Sequence, residues 1–102
     1  MAINKIAKDI PSCNEVRQSC LDKRKAKIDK LFSQLLTRCV DRLNYKKTGC
    51  SVSSIIIDMD ECHNFPEIRT KIKEVLNKKG YTVEFCERVP NTIRLSLIIH
   101  LD

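Results

Sequence analysis

The chain has 102 residues, 42% of them hydrophobic, and a net charge of +6; this is one domain with one modest core, too apolar for a disordered segment. Trp is absent and Gly49 and Gly80 are the only glycines, so the core is aliphatic and glycine-rich phosphate loops are excluded. The charge is lopsided: residues 1–48 carry 12 Lys and Arg against 5 Asp and Glu, and residues 49–102 carry 7 against 8, which points the first half toward nucleic acid, an anionic surface or an acidic partner.

Residues 1–11 form a mixed N-terminal segment. Ile3, Ile6 and Ile10 are spaced for a brief amphipathic turn or for pinning the terminus onto a neighbour, and Pro11 ends any helix there. The stretch before Cys13 lacks the apolar run of a secretory signal, and no segment approaches the length of a membrane span. The expected setting is therefore intracellular and reducing, with most of the six cysteines free thiols acting as small hydrophobes.

Ser12 and Glu15 have the spacing of a capping box. A long helix is expected to follow, from about Cys13 to about Tyr45, with residues 12–46 as one unit. Ile28, Leu31, Phe32, Leu35, Leu36, Cys39, Val40 and Leu43 make a sustained stripe at helical spacing in its second half. The first half is different: Val16 and Cys20 fall off that line, Leu21 lies closer to it, and Asp22 to Lys27 is nearly all polar. About thirty helical residues span roughly 45 Å, whereas an eight-residue strand spans about 26 Å. The helix must either bend near Asp22–Lys27 or overhang its sheet.

Gly49 marks a break. Cys50 to Asp58 reads as a strand, and its Ile55-Ile56-Ile57 run is apolar on both sides, as in a strand covered on two faces. Pro66 suits the first position of a second helix, with Phe65, Ile68, Ile72, Val75 and Leu76 as its buried stripe and Gly80 just past its end. Two alternating runs complete the chain as a hairpin: Tyr81, Val83 and Phe85, then Ile93, Leu95, Leu97, Ile99 and Leu101, broken at Val89-Pro90-Asn91. The fold class is thus α+β: a long helix, then a β-α-β-β core over residues 50–102. The last strand, the longest and most apolar, is placed centrally and antiparallel to both neighbours, giving spatial order 1-3-2. The long helix either covers the second face of the sheet or lies beside the second helix.

Four constellations could carry chemistry. Asp58 and Asp60, just beyond an apolar strand, could hold Mg²⁺, and their D-x-D resembles the nucleophile motif of haloacid dehalogenase-type phosphatases. The chain lacks room for that family's fold, and a polar loop before a helix is the favoured reading. Cys13, Cys20, Cys39, Cys50, Cys62, His63, Cys86 and His100 are potential metal ligands, but no C-x-x-C or finger-like spacing exists among them. His100 falls on the less apolar face of the last strand and reads as a surface or partner-facing residue. The fourth is the long helix. Lys23, Lys27, Lys30 and Arg38 share one side, with Arg24 and Lys25 nearby, which is the minimum for phosphate neutralisation without stacking aromatics. Val16, Cys20 and Leu21 are the candidate partner-binding residues on the overhang.

Leu76, Gly80, Tyr81, Val83 and Thr92, within KIKEVLNKKGYTVEFCERVPNTIRLSL, resemble the C-terminal part of small β-α-β-β proteins of tailed phages and large DNA viruses. The resemblance covers about Ile55 to Leu97. It implies a virion or accessory role in a host cell's cytoplasm or nucleus or in the virion, and no catalytic residues. The expectation is a non-enzymatic interaction protein that needs no cofactor, metal or small-molecule substrate. Its partner is a protein or a second copy, bound through the long helix; nucleic acid on the basic face is the alternative.

Overall fold

The computed structural model describes residues 6–87 and 94–101. Helix α1 runs unbroken from Cys13 to Lys46, 34 residues and about 50 Å at 1.5 Å per residue. Its start is chemically fixed. Glu15 N–H donates to the Ser12 hydroxyl at 3.1 Å, and Ser12 N–H donates to the Glu15 carboxylate at 3.4 Å, so two otherwise orphaned donors satisfy each other's side chains. Strand β1 (Ile55–Asp58), a 3₁₀ turn (Asp60–Cys62), helix α2 (Pro66–Lys78) and strands β2 (Thr82–Glu87) and β3 (Leu95–His100) follow.

The sheet has the order β1-β3-β2, with β3 antiparallel to both neighbours. Ile57, Leu97 and Phe85 stand in one rank, and Ile55, Ile99 and Val83 in the next. These residues and Leu95 form the inner face. Both helices pack on that face through Ile28, Leu31, Leu35 and Cys39 of α1 and Ile68, Ile72 and Leu76 of α2. The long helix therefore lies beside α2, not on the second face. Lys71 bridges the two, 3.7 Å from Asp29 and 5.7 Å from the Phe32 ring centroid.

This two-layer arrangement corrects several expectations. Ile56 is 54% exposed, because β1 is covered on one face only. Val40 of α1 is 54% exposed and Val75 of α2 is 37% exposed, although both belong to the expected stripes. β1 begins at Ile55, not Cys50: its partner β3 ends at His100, one rung past Ile99, so the residues before Ser54 have no rung of β3 to pair with. The side chain of Ser51 instead accepts from Ser53 N–H at 3.3 Å, a local bond that competes with strand pairing. β3 is no longer than β2, at six residues each. Ser96 lies on the outer face yet is 2% exposed, seated between Asp58 and Cys86 of the flanking strands. The expected Val89-Pro90-Asn91 turn, Ile93, and Ile3 of the N-terminal turn lie outside the described residues. Ile6 and Ile10 are exposed and do not pin the terminus to the core.

Gly80 has φ 94°, which favours glycine. Tyr81 N–H donates to Leu76 C=O and Gly80 N–H to Asn77 C=O, both at 3.0 Å, the paired bonds of a Schellman ending. α2 is thereby stopped and the chain turned into β2.

Candidate docking arm

The mismatch between helix and sheet is resolved by overhang, not by a bend. Every residue of α1 from Cys13 to Lys27 is exposed. About 22 Å of helix thus projects past the sheet at 1.5 Å per residue, and the molecule extends 76 × 28 × 18 Å. Only the base of this arm is tethered. Arg24 Nη2 lies 2.9 Å from the Glu67 carboxylate, donates to Asn64 C=O at 3.5 Å, and its guanidinium sits 4.9 Å from the Phe65 ring centroid. An exposed pair of this kind contributes at most about 1 kcal/mol.

Val16 is 48% exposed, and with Pro11, Glu15, Ser19, Cys20 and Lys23 it lines a shallow groove. Val16, Cys20, Lys23, Lys27 and Lys30 follow one another at steps of four and three, so they lie along one side of the helix. The expected partner-binding pair and the expected basic stripe are therefore one continuous surface. Leu21, 53% exposed, lies apart from it, seven residues before Ile28 and in line with the core stripe.

The cations divide into two groups. Lys23, Lys25, Lys27 and Lys30 are exposed and form no ion pair among the described residues. Arg24 is engaged as described. Arg38 Nη1 donates to Asp58 C=O at 2.6 Å, and Nη2 pairs with Glu61. Arg24 and Arg38 are thus internal clamps, not charges free for phosphate. Arg17, exposed on the arm, is a further cation that the sequence reading leaves out, although it lies within the expected helix.

The Ile55–His63 stretch is a structural corner. Asp60 Oδ1 accepts from Leu95 N–H at 2.7 Å, and Met59 N–H donates to Leu95 C=O at 2.9 Å, so both main-chain groups of Leu95 are held. Cys62 is buried, and His63 Nδ1 lies 3.4 Å from Asn64 Oδ1. Among the described residues no cluster of three or more His, Cys, Asp and Glu is arranged to hold a metal. His100 Nδ1 lies 3.0 Å from the Ser54 hydroxyl; Nε2 is sealed from solvent, 3.5 Å from the Glu84 carboxylate without hydrogen-bond geometry. No described helix is long and apolar enough to cross a membrane.

The cysteines also divide. All six are free thiols, as expected, but only Cys39 and Cys62 are core hydrophobes; Cys13, Cys20, Cys50 and Cys86 are exposed, which corrects the expectation that most act as small hydrophobes. Both core thiols are pushed up to about 11: burial is the main cause at each, the Glu61 carboxylate adds to it at Cys62, and Arg38 opposes the rise at both. With thiol-reactive Ellman's reagent at pH 8, the four exposed cysteines are expected to react at once. The buried two, raised from 9.0 to about 11, hold about 100-fold less thiolate than an unperturbed thiol and react only as the chain unfolds. Six fast thiols in the native protein would contradict this burial.

Compared against protein-family models, curated proteins and solved structures, the chain matches none.

Proposed function

We propose that this is a non-enzymatic interaction protein in which the β-α-β-β body is an anchor and the projecting half of α1 docks a protein partner or a second copy. The observation that carries the reading is the fifteen-residue run from Cys13 to Lys27 without one buried side chain. An isolated helix of that length is marginal in water. The arm persists because it propagates from the packed half of α1 and is capped at Ser12, and covering Val16 and Cys20 with a partner would stabilise it further. The resemblance of the Ile55–Leu97 half to small viral proteins extends the reading to a virion or assembly component. A second reading has its own support: Lys23, Lys27 and Lys30, three lysines without ion pairs among the described residues on the same side of the helix, suit a polyanion, with nucleic acid as the partner.

Two variants that do not lower helix propensity separate the readings. Val16→Gln with Cys20→Gln leaves the charge alone; Lys23→Gln, Lys27→Gln and Lys30→Gln leaves the apolar pair alone. Light scattering is expected to give a mass above that of the monomer, reduced to the monomer by the first variant and unaffected by the second. A monomeric parent that binds duplex or single-stranded nucleic acid would reverse the choice. In that case the triple variant would flatten the slope of log affinity against log salt by about 2–3.

A further inference from the structure

Val40 and Val75, the two expected core residues of the helices that the fold leaves exposed, line the same groove. It lies between the C-terminal halves of α1 and α2 and has a volume of about 580 Å³. Leu36 and Leu43 extend its α1 wall, and Leu76 and Tyr81 close it at the end of α2. The contacts of α1 with α2 advance together, Arg24 with Glu67 and Asp29 with Lys71, so the helices run the same way and their C-termini meet at this groove. Lys47 and Lys79, the C-cap residues of the two helices, stand at its rim, and among the described residues no acidic one lines it. Neither lysine forms an ion pair among the described residues.

We infer that this groove binds a short, acidic, amphipathic segment of a protein partner, its apolar side chains between Val40 and Val75 and its carboxylates on Lys47 and Lys79. The occupant follows from charge and shape together. An apolar trough between two helices is suited to an amphipathic helix laid along it, and two unopposed lysines select for carboxylates on its flanks. A second copy's arm is a poor occupant, because Lys23 and Lys27, on the same side of the arm as Val16 and Cys20, would face the basic rim, and like-charge contact rejects it. Nucleic acid would satisfy the lysines and leave the apolar walls uncovered. The site lies on the anchor and stands whether or not the arm docks anything.

The test is selection of a random phage-displayed peptide library on the full chain, followed by affinity measurement for the leading peptide by fluorescence polarisation. Selected peptides are expected to combine two or more large apolar residues with Asp or Glu. Lys47→Glu with Lys79→Glu is expected to weaken binding about tenfold or more, and Val40→Glu with Val75→Glu to abolish it. The Val16→Gln, Cys20→Gln arm variant should bind as the parent does. All four groove positions are at the surface, and an unchanged thermal midpoint verifies that each variant is folded. The proposal is overturned if no peptide is enriched, if the enriched peptides are basic or uncharged, or if the groove variants bind normally. Saturable uptake of dansylated undecanoic acid without peptide enrichment would assign the groove to an acyl chain and likewise overturn it.

Discussion

Leu97→Ala is expected to destabilise the fold by about 2–5 kcal/mol, the range for truncating a fully buried leucine. Leu97 is inaccessible to solvent and sits on the central strand, between Ile57 and Phe85 in the same rank. The two helices close over that face, so a cavity there has no mobile loop to collapse into it. Domains of this size have about 5–15 kcal/mol of total stability, so the variant could lose a large part of it. Urea denaturation should show the loss as a lower midpoint with the slope unchanged. Leu95→Ala, equally buried, should behave alike. The control belongs at Ile98, a half-buried outer-face residue, where Ala should cost clearly less. Ser96→Leu is no control, because overpacking that buried site would itself cost about 1–3 kcal/mol. Equal losses at Leu97 and Ile98 would show that the register is wrong by one residue.

Alkali should destabilise the fold through two thiols. Cys39 and Cys62 titrate at about 11 in the folded chain against 9.0 when unperturbed. Between those values the folded chain keeps protons that the unfolded chain has released, so raising the pH drives unfolding. The stabilisation is fully present below pH 9 and is lost as the pH rises through 11. At about 1.4 kcal/mol per pH unit, the limit is about 2–3 kcal/mol for each thiol. Urea midpoints at pH 8 and pH 10.5 under reductant are the measurement. The comparison that isolates the two thiols is with Cys39→Ala, Cys62→Ala. That variant is less stable at pH 8 but should lose less on going to pH 10.5. The same alkaline loss in both proteins would remove the thiols from the account.

Much of the fold is written in local chemistry. Pro11, Ser12 and Glu15 start α1 where the structure starts it, because a capping box uses only neighbouring residues. Gly80 ends α2 because its positive φ is a local requirement. The alternation of Leu95, Leu97 and Ile99 places β3 in the centre, since the most apolar strand needs two neighbours. Part of the candidate site was equally legible: helix length against strand length required either a bend or an overhang, and steps of three and four put Val16, Cys20 and the three lysines on one side.

What remained depends on partners far away in sequence. Whether Val40, Ile56 or Val75 is buried depends on whether another element lies over it, and a periodic stripe carries no record of that. Both helices chose one face of the sheet, so Ile56 faces outward and a groove opens between Val40 and Val75. Arg24 and Arg38 look like their lysine neighbours in the sequence; only the arrival of Glu67 and Glu61 turns them into clamps. The sequence by itself thus determined where the elements begin, end and alternate, because those features are set within a turn or a rung. The tertiary structure alone decided which apolar and charged groups were left over to meet another molecule, because that follows from how whole elements share a single sheet face.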